Sequence, residues 1–260
     1  MINEKEKGIK INELSRDIQK EILKGYGQAI QFIENPDKEL QLIAVKQNGF
    51  AIQFINNPDK DVQLEAVKRD GLVIEYIENP EKEVQIEAVK QNGYSIRHII
   101  NPDKELQLEA MKEDGSSLQF IKNPDKEVQL EAVKEDGNSI EFIENPDKEL
   151  QLAAVRNYGH SIRFIENPDK DIQLEALKER WTSIEFIENP DKEISDRIKI
   201  YKTSNREIIV FKDDNGDYKF TIGCQRNISK ETFTWRLYNL DGGLKENPHR
   251  QEYLDILKHY

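Results

Sequence analysis

Eight prolines stand 22 residues apart, at Pro36, Pro58, Pro80, Pro102, Pro124, Pro146, Pro168 and Pro190, and each follows an asparagine. Only Pro248 falls outside the series. A fixed period of this length restricts a chain to repeat architectures, in which each unit buries its apolar side only against its neighbours. Places in the repeat are numbered here from the asparagine.

Asn35 at place one suits an N-cap, and Pro36 at place two suits a first helical position. Asp37 and Glu39 then fall in the first turn, where the helix dipole favours acid. Place twelve is basic in every repeat (Lys46, Lys68, Lys90, Lys112, Lys134, Arg156, Lys178), near the end where the dipole favours a cation. Gly49 and its equivalents Gly71, Gly93, Gly115, Gly137 and Gly159 follow, mostly as Asn-Gly or Asp-Gly. Such a pair reads as a left-handed C-cap. Ala51 to Ile55 then has room for a short helix, partly 3₁₀. Each repeat is therefore expected to be a helix of about three turns, a glycine corner and a short helix.

Helical periodicity puts Leu40, Leu42, Ala44 and Val45 on one wide apolar arc, to which the short helix adds Ile52, Phe54 and Ile55. Gln41 lies inside that arc and recurs as Gln19, Gln63, Gln85, Gln107, Gln129, Gln151 and Gln173. A buried amide must be hydrogen-bonded, so an amide ladder or bonds to corner backbone are expected.

Residues 1–12 read as a lead-in, and residues 13–34 as a degenerate first repeat that keeps Ile18, Gln19, Leu23, Gly27, Ile30, Phe32 and Ile33 in register. Terminal repeats are atypical because they cap the stack. In the seventh full repeat Trp181 replaces the glycine. A left-handed tryptophan is costly, so a different corner is expected there. Residues 194–204 form the junction, read as a helix carrying Ile194, Ile198 and Tyr201. From about Asn205 the pattern changes. EIIVFK (Glu207–Lys212) and YKFTIGC (Tyr218–Cys224) read as strands, with Asp213-Asp214-Asn215-Gly216 as the hairpin signal. Ser229 suits the cap of a helix through Trp235 and Leu237, and Asn247-Pro248 opens a last helix. The fold expected is mainly α: an αα-solenoid of eight to nine 22-residue units over residues 13–193. A small α+β module, a β-hairpin plus two helices, follows over residues 205–260.

The string QLEAVKxxGxxI, from Gln63 to Ile74 and again from Gln129 to Ile140, resembles the bacterial repeat family known as domain of unknown function 4116. Those repeats also start acidic and run through a valine–leucine–alanine–valine–lysine string into Asn-Gly. The helix plus short-helix plan is similar to HEAT-like solenoids and the leucine-rich repeat variant. The resemblance covers about residues 13–190 and departs in the fixed Asn-Pro start. It implies an α-solenoid and no known activity. The tail, with Gly223-Cys224-Gln225, Ser229, Trp235 and a closing Arg250 helix, resembles a small module at the C-terminus of bacterial repeat proteins, which supplies no chemistry either.

Charge bears on function. The chain carries −12 overall; residues 194–260 carry +2, leaving −14 on residues 1–193. That sign disfavours direct nucleic-acid binding. One cysteine, Cys224, permits no internal disulfide, and with no apolar run at the N-terminus a cytoplasmic protein with no membrane segment is expected. No phosphate loop, zinc spacing or Gly-x-Ser-x-Gly is present, so no cofactor or metal is expected. Asp213–Asp217 lacks EF-hand spacing. His98 takes a place otherwise held by Phe or Tyr and reads as packed. His160 reads as an exposed corner residue beside Tyr158. A Cys224–His249 nucleophile and base is the catalytic alternative, against which Cys224 falls on the apolar face of its strand.

The informative places are those that vary on a constant frame: thirteen, fourteen, sixteen, nineteen and twenty-two. Place sixteen runs Phe50, Leu72, Tyr94, Ser116, Asn138, His160, Thr182. With helices stacked at about 8–10 Å these are expected to form a ridge, apolar at first with Arg97 and Ile100 nearby, then acidic through Glu113, Asp114, Glu135 and Asp136. Exposed aromatics and arginine anchor protein interfaces; the bland alternative is that Phe50, Leu72 and Tyr94 lock the corners. The function expected is a non-catalytic, monomeric scaffold that binds a protein partner along this ridge. The alternatives are an acidic inhibitor that mimics nucleic acid at a basic site on another protein, and a Cys-dependent enzyme centred on the C-terminal module.

Overall fold

The computed structural model describes residues 11–202, 207–212, 216–222, 225–229 and 250–260. The chain divides into two compact bodies, residues 1–142 and 143–260.

Among the described residues the first body holds six α-helices: α1 (Arg16–Gly25), α2 (Lys38–Gln47), α3 (Lys60–Arg69), α4 (Lys82–Gln91), α5 (Lys104–Glu113) and α6 (Lys126–Glu135). A six-residue 3₁₀ helix follows each, such as Gly49–Phe54 after α2. This is the expected helix and short-helix solenoid repeat, and successive repeats pack on one another. From α2 on its core is the same in each: Leu40, Ala44, Val45, Ile52 and Ile55 are buried, and so are their equivalents, whereas in the first repeat Ile18 is exposed and Ile22 only half-buried. Leu42 and Phe54, expected inside, are only half-buried.

Two expectations about the helix ends are corrected. Asn35 is not the N-cap; it has φ 48°, and the same left-handed conformation recurs at Asn57, Asn79, Asn101, Asn123, Asn145 and Asn167. Asparagine tolerates that region better than other residues with a Cβ. The chain turns at Asn-Pro and enters the helix one residue later. Asp37, in extended conformation, is the cap, and its side chain accepts from Leu40 N at 3.1 Å. Pro36 thus precedes the helix, and its carbonyl accepts from the Gln41 side chain at 2.8 Å. The recurrent glutamine answers the question of its buried amide in this way: Gln63, Gln85, Gln107 and Gln129 hold the prolines of their own turns identically.

The glycine corner is also not left-handed, since among the described glycines only Gly216 has positive φ. Asn48 caps the short helix instead, accepting from Phe50 N at 3.0 Å. Glycine stands at place fifteen because the next repeat's helix comes too close for a Cβ. One added at Gly49 would lie 2.8 Å from the Ala66 carbonyl oxygen.

Behind that glycine sits place seventeen. It is Ala29, Ala51 and Val73 in the early repeats and Ser95, Ser117 and Ser139 in the later ones, all fully buried. The three serine hydroxyls have no hydrogen-bond partner. A buried unpaired hydroxyl carries a desolvation cost without return. Ser117→Ala is therefore expected to raise the stability of the chain by about 1 kcal/mol, read as a higher urea midpoint.

Lysine at place four links successive helix starts. Lys38 pairs with Asp61 and lies 3.6 Å from Asp59, Lys60 reaches Glu81 and Glu83 at 3.0 and 2.5 Å, and Lys104 reaches Asp125 and Glu127 at 3.0 and 2.5 Å. Arg16 beside Asp37, Lys38 beside Asp61 and Lys82 beside Asp103 hold these carboxyls below their usual range. A depressed carboxyl stabilises the fold above its unfolded pKa, and the contribution is lost as pH falls through the folded value. The midpoint for thermal unfolding is thus expected to be flat from about pH 5 to 8 and to fall below about pH 4. Because the pairs are exposed, high salt should blunt the dependence. A midpoint insensitive to acid would contradict a role for the ladder.

The second body holds α7 (Lys148–Asn157), α8 (Lys170–Glu179), the four-residue α9 (Lys192–Ser195) and α10 (Arg250–Leu257). The junction is not a helix beyond Ser195: Ile198 and Tyr201 lie in strand β1 (Ile198–Lys202), which pairs with β2 (Glu207–Lys212). The alternating β-branched run IKIYK suits that pairing better than a helix. With β3 (Tyr218–Ile222) and β4 (Gln225–Ser229) the sheet is a four-stranded antiparallel meander, two strands more than the expected hairpin. Ser229 ends β4; the helix expected through Trp235 and Leu237 lies outside the described residues. Ile208, Val210 and Phe220 pack under Tyr253 and Ile256 of α10. On the other face Phe211 stacks on Trp181 at 6.1 Å with planes 5° apart. The corner at Trp181 is the same 3₁₀ helix as elsewhere, Trp181–Phe186, with no left-handed residue.

Candidate functional site

The varied places lie on the corners and short helices, and their geometry follows from the offset of one repeat on the next. Place sixteen of one repeat meets place twenty of the following one. Phe50 meets the Tyr76 ring edge-on at 6.1 Å, and Tyr94 meets Phe120 at 5.4 Å. The Tyr94 hydroxyl lies 2.6 Å from that of Ser116. Phe50 and Tyr94 therefore lock successive corners, and both, like Leu72, are half-buried and keep one flank in solvent.

Two of the four acidic candidates are helix caps. Asp114 accepts from Ser116 N and Oγ at 2.9 and 2.6 Å, and Asp136 accepts from Asn138 N at 2.9 Å, so both cap short helices. Glu113 and Glu135 are exposed. Arg97 is exposed, and its Nε donates to His98 Nε2 at 2.7 Å. His98 is half-buried and lies 3.7 Å from Glu75; burial, then the Arg97 charge, lowers its pKa. The expectation of a packed histidine holds there in part.

His160, expected at an exposed corner, is 4% exposed. Its ring packs edge-on between Tyr158 at 5.3 Å and Phe186 at 5.0 Å, and Nε2 lies 2.8 Å from Thr182 Oγ1. A flat ring with a hydrogen-bonding edge fills that gap, so the residue is structural. Tyr158 is half-buried beneath the Arg180 guanidinium, 5.0 Å from its ring centre. Cys224 and His249 lie outside the described residues. Among the described residues no three histidines, cysteines or carboxylates cluster as a metal site would require, and no helix is long and apolar enough to cross a membrane.

The sequence reading missed the aromatic stripe at place twenty, which it assigned to the core. Phe32 is 57% and Tyr76 41% exposed. Phe54 ends the short helix and Ile55 follows it in extended conformation, and of the two only Ile55 is buried. A second missed feature is a recurrent groove between successive short-helix ends. In the first body it is a pocket of 450 Å³ lined by Ile77, Glu78, Asn79, Pro80, Gln85 and His98 to Ile100. In the second it is a pocket of 570 Å³ bounded by Phe164, Glu166, Gln173, Phe186 and Glu188.

Fold and surface together define a helical-repeat protein, with a constant internally bonded frame and varied corners. Residues 37–81, 59–101, 103–146 and 125–168 each match the family described as Domain of unknown function (DUF4116), and each match spans about two repeats. The chain belongs to that family. No curated protein and no solved structure is significantly similar to it.

Proposed function

We propose that the chain is a non-catalytic scaffold that recognises a protein partner along the varied side chains of its repeats. The observation that carries this reading is the division of labour within each repeat. The turn asparagine, capping Asp or Asn, glutamine and glycine recur and are consumed by internal contacts. The exposed side of the short helices and of the turns after them changes from repeat to repeat and includes apolar side chains, with Ile100 89% exposed. Exposed apolar and aromatic groups beside arginine are what partner surfaces use. The acidic-mimic reading is weaker, because the carboxylates at the helix starts are held by lysines of the preceding repeat.

The test is affinity capture from the native host's lysate at low and high salt, with the wild-type chain beside a Leu72→Ala/Tyr94→Ala variant of confirmed helicity. A protein kept by the wild type at high salt and lost by the variant supports the reading. Partners held only at low salt, or kept equally by the variant, contradict it.

A further inference from the structure

The repeat beginning at Asn79 departs from its sisters at two places that share one pocket. Place twenty is Phe or Tyr in every other repeat and His98 here; place twenty-two is Glu, Asn or Lys elsewhere and Ile100 here. Both line the 450 Å³ groove of the first body, together with Ile77, Pro80 and Ile99. Neither side chain is taken into the core: Ile100 is the most exposed of the large apolar residues described, and His98 is half-buried. An exposed isoleucine where sisters are polar marks a contact surface rather than a core.

Besides the Asn79 amide and the His98 ring, the polar groups lining the groove are acceptors. Among the described residues nothing bonds the Glu78 carboxylate. Gln85 spends its amide nitrogen on the Pro80 carbonyl at 2.8 Å, which leaves its oxygen to the groove. Glu75 stands next to the rim, within 3.7 Å of His98 Nε2. Arg97 is the cation at hand, and its Nε is directed at His98. The corresponding groove of the second body has an arginine of its own in its wall. There Arg163 lays its guanidinium 4.5 Å from the Phe164 ring centre, in the groove that also holds Glu166 and Glu188. The place of Arg163 is taken by Glu75 in the first body.

We infer that the groove between Ile77–Pro80 and His98–Ile100 docks an arginine side chain of a partner protein, with an apolar neighbour of that arginine resting on Ile100. The occupant is fixed by charge: an acceptor-lined, apolar-walled slot on a chain of net charge −12 suits a long aliphatic stem ending in a planar cation. The inference rests on the scaffold reading and names its partner chemistry.

The probe is an acetylated, amidated peptide Ala-Leu-Arg-Leu-Ala, titrated into the ¹⁵N-labelled full chain, with a citrulline-for-arginine peptide as the neutral isostere. Expected are saturable shifts of the 77–85 and 98–100 amides at millimolar peptide, and about tenfold weaker binding of the citrulline peptide. Glu78→Gln should weaken the arginine peptide about fivefold. Ile100→Asn, which installs the residue of the sister position Asn56, should weaken it about threefold without altering the spectrum elsewhere. Equal binding of both peptides, or shifts confined to other residues, would overturn the inference. So would self-association that Ile100→Asn abolishes, because the occupant would then be a second copy. If the peptide fails while lysate capture still depends on Leu72 and Tyr94, the groove assignment falls and the scaffold reading stands.

Discussion

Gly71→Ala is expected to lower the stability of the chain by about 3 kcal/mol, measured as a shift of the urea midpoint followed by far-UV circular dichroism. An added Cβ would overlap the Ala88 carbonyl oxygen of the next helix and stand 2.7 Å from Ser95 Oγ and 2.9 Å from Gln91 Oε1. Two of these three are flexible side-chain ends, but the carbonyl is helical backbone and can yield only by parting two repeats. Gly71 N also donates to Gln91 Oε1 at 2.5 Å, a bond that the parting would lengthen. Gly25→Ala is the control. Nothing lies within 4 Å of its Cβ position, so alanine should be neutral or stabilise by up to about 1 kcal/mol. Equal effects at the two sites would mean that glycine serves backbone freedom rather than close approach.

Trp181→Ala is expected to cost about 4 kcal/mol in the second body. Trp181 holds the glycine place of its repeat, and the reason it fits there follows from the same contact. In earlier repeats the next helix presents an alanine carbonyl at place ten. After Asn189 the tenth residue is Ile198, already in β1, so the crowding helix is gone. Trp181 fills the space, 6% exposed and stacked on Phe211. Its Nε1–H is buried without a partner, so Trp181→Phe should cost far less, about 1 kcal/mol. The check is thermal unfolding of both variants. Near-equal losses would show that the indole edge does more than fill volume.

The repeat architecture was legible because one period governs everything: proline spacing, the apolar places and the resemblance of Gln63–Ile74 all point to helix, corner and short helix. The local chemistry was legible only in part. Asn-Pro and Asn-Gly have standard readings as an N-cap and a left-handed corner, and both readings assume that local torsions decide. Here other contacts decide: Ala66 of the next repeat excludes a side chain at Gly49, and within its own repeat Gln41 holds the Pro36 carbonyl while Asp37 is the cap. Contacts between repeats are not written in a single repeat. For the same reason the Lys38 to Asp61 ladder went unseen, and His160 was placed in solvent although Phe186 and Thr182 of the next repeat cover it. In the junction, Ile194 to Tyr201 kept enough helical spacing to mislead, and the β-branched alternation from Ile198 was the better guide. Of the candidate site, the varied places were readable as such. Which of them face solvent depended on how successive short helices overlap, while Asp114 and Asp136 cap their own short helices, a local role that the charge pattern concealed.

The account rests on a constant frame that presents a varied short-helix side to a protein. Hydrogen exchange of the chain, free and bound to its captured partner, tests this most directly. The account predicts added protection in the short helices and the turns that follow them between residues 71 and 100, with the α-helical amides unchanged. Protection confined to residues 198–260, with none in the repeats, would contradict it.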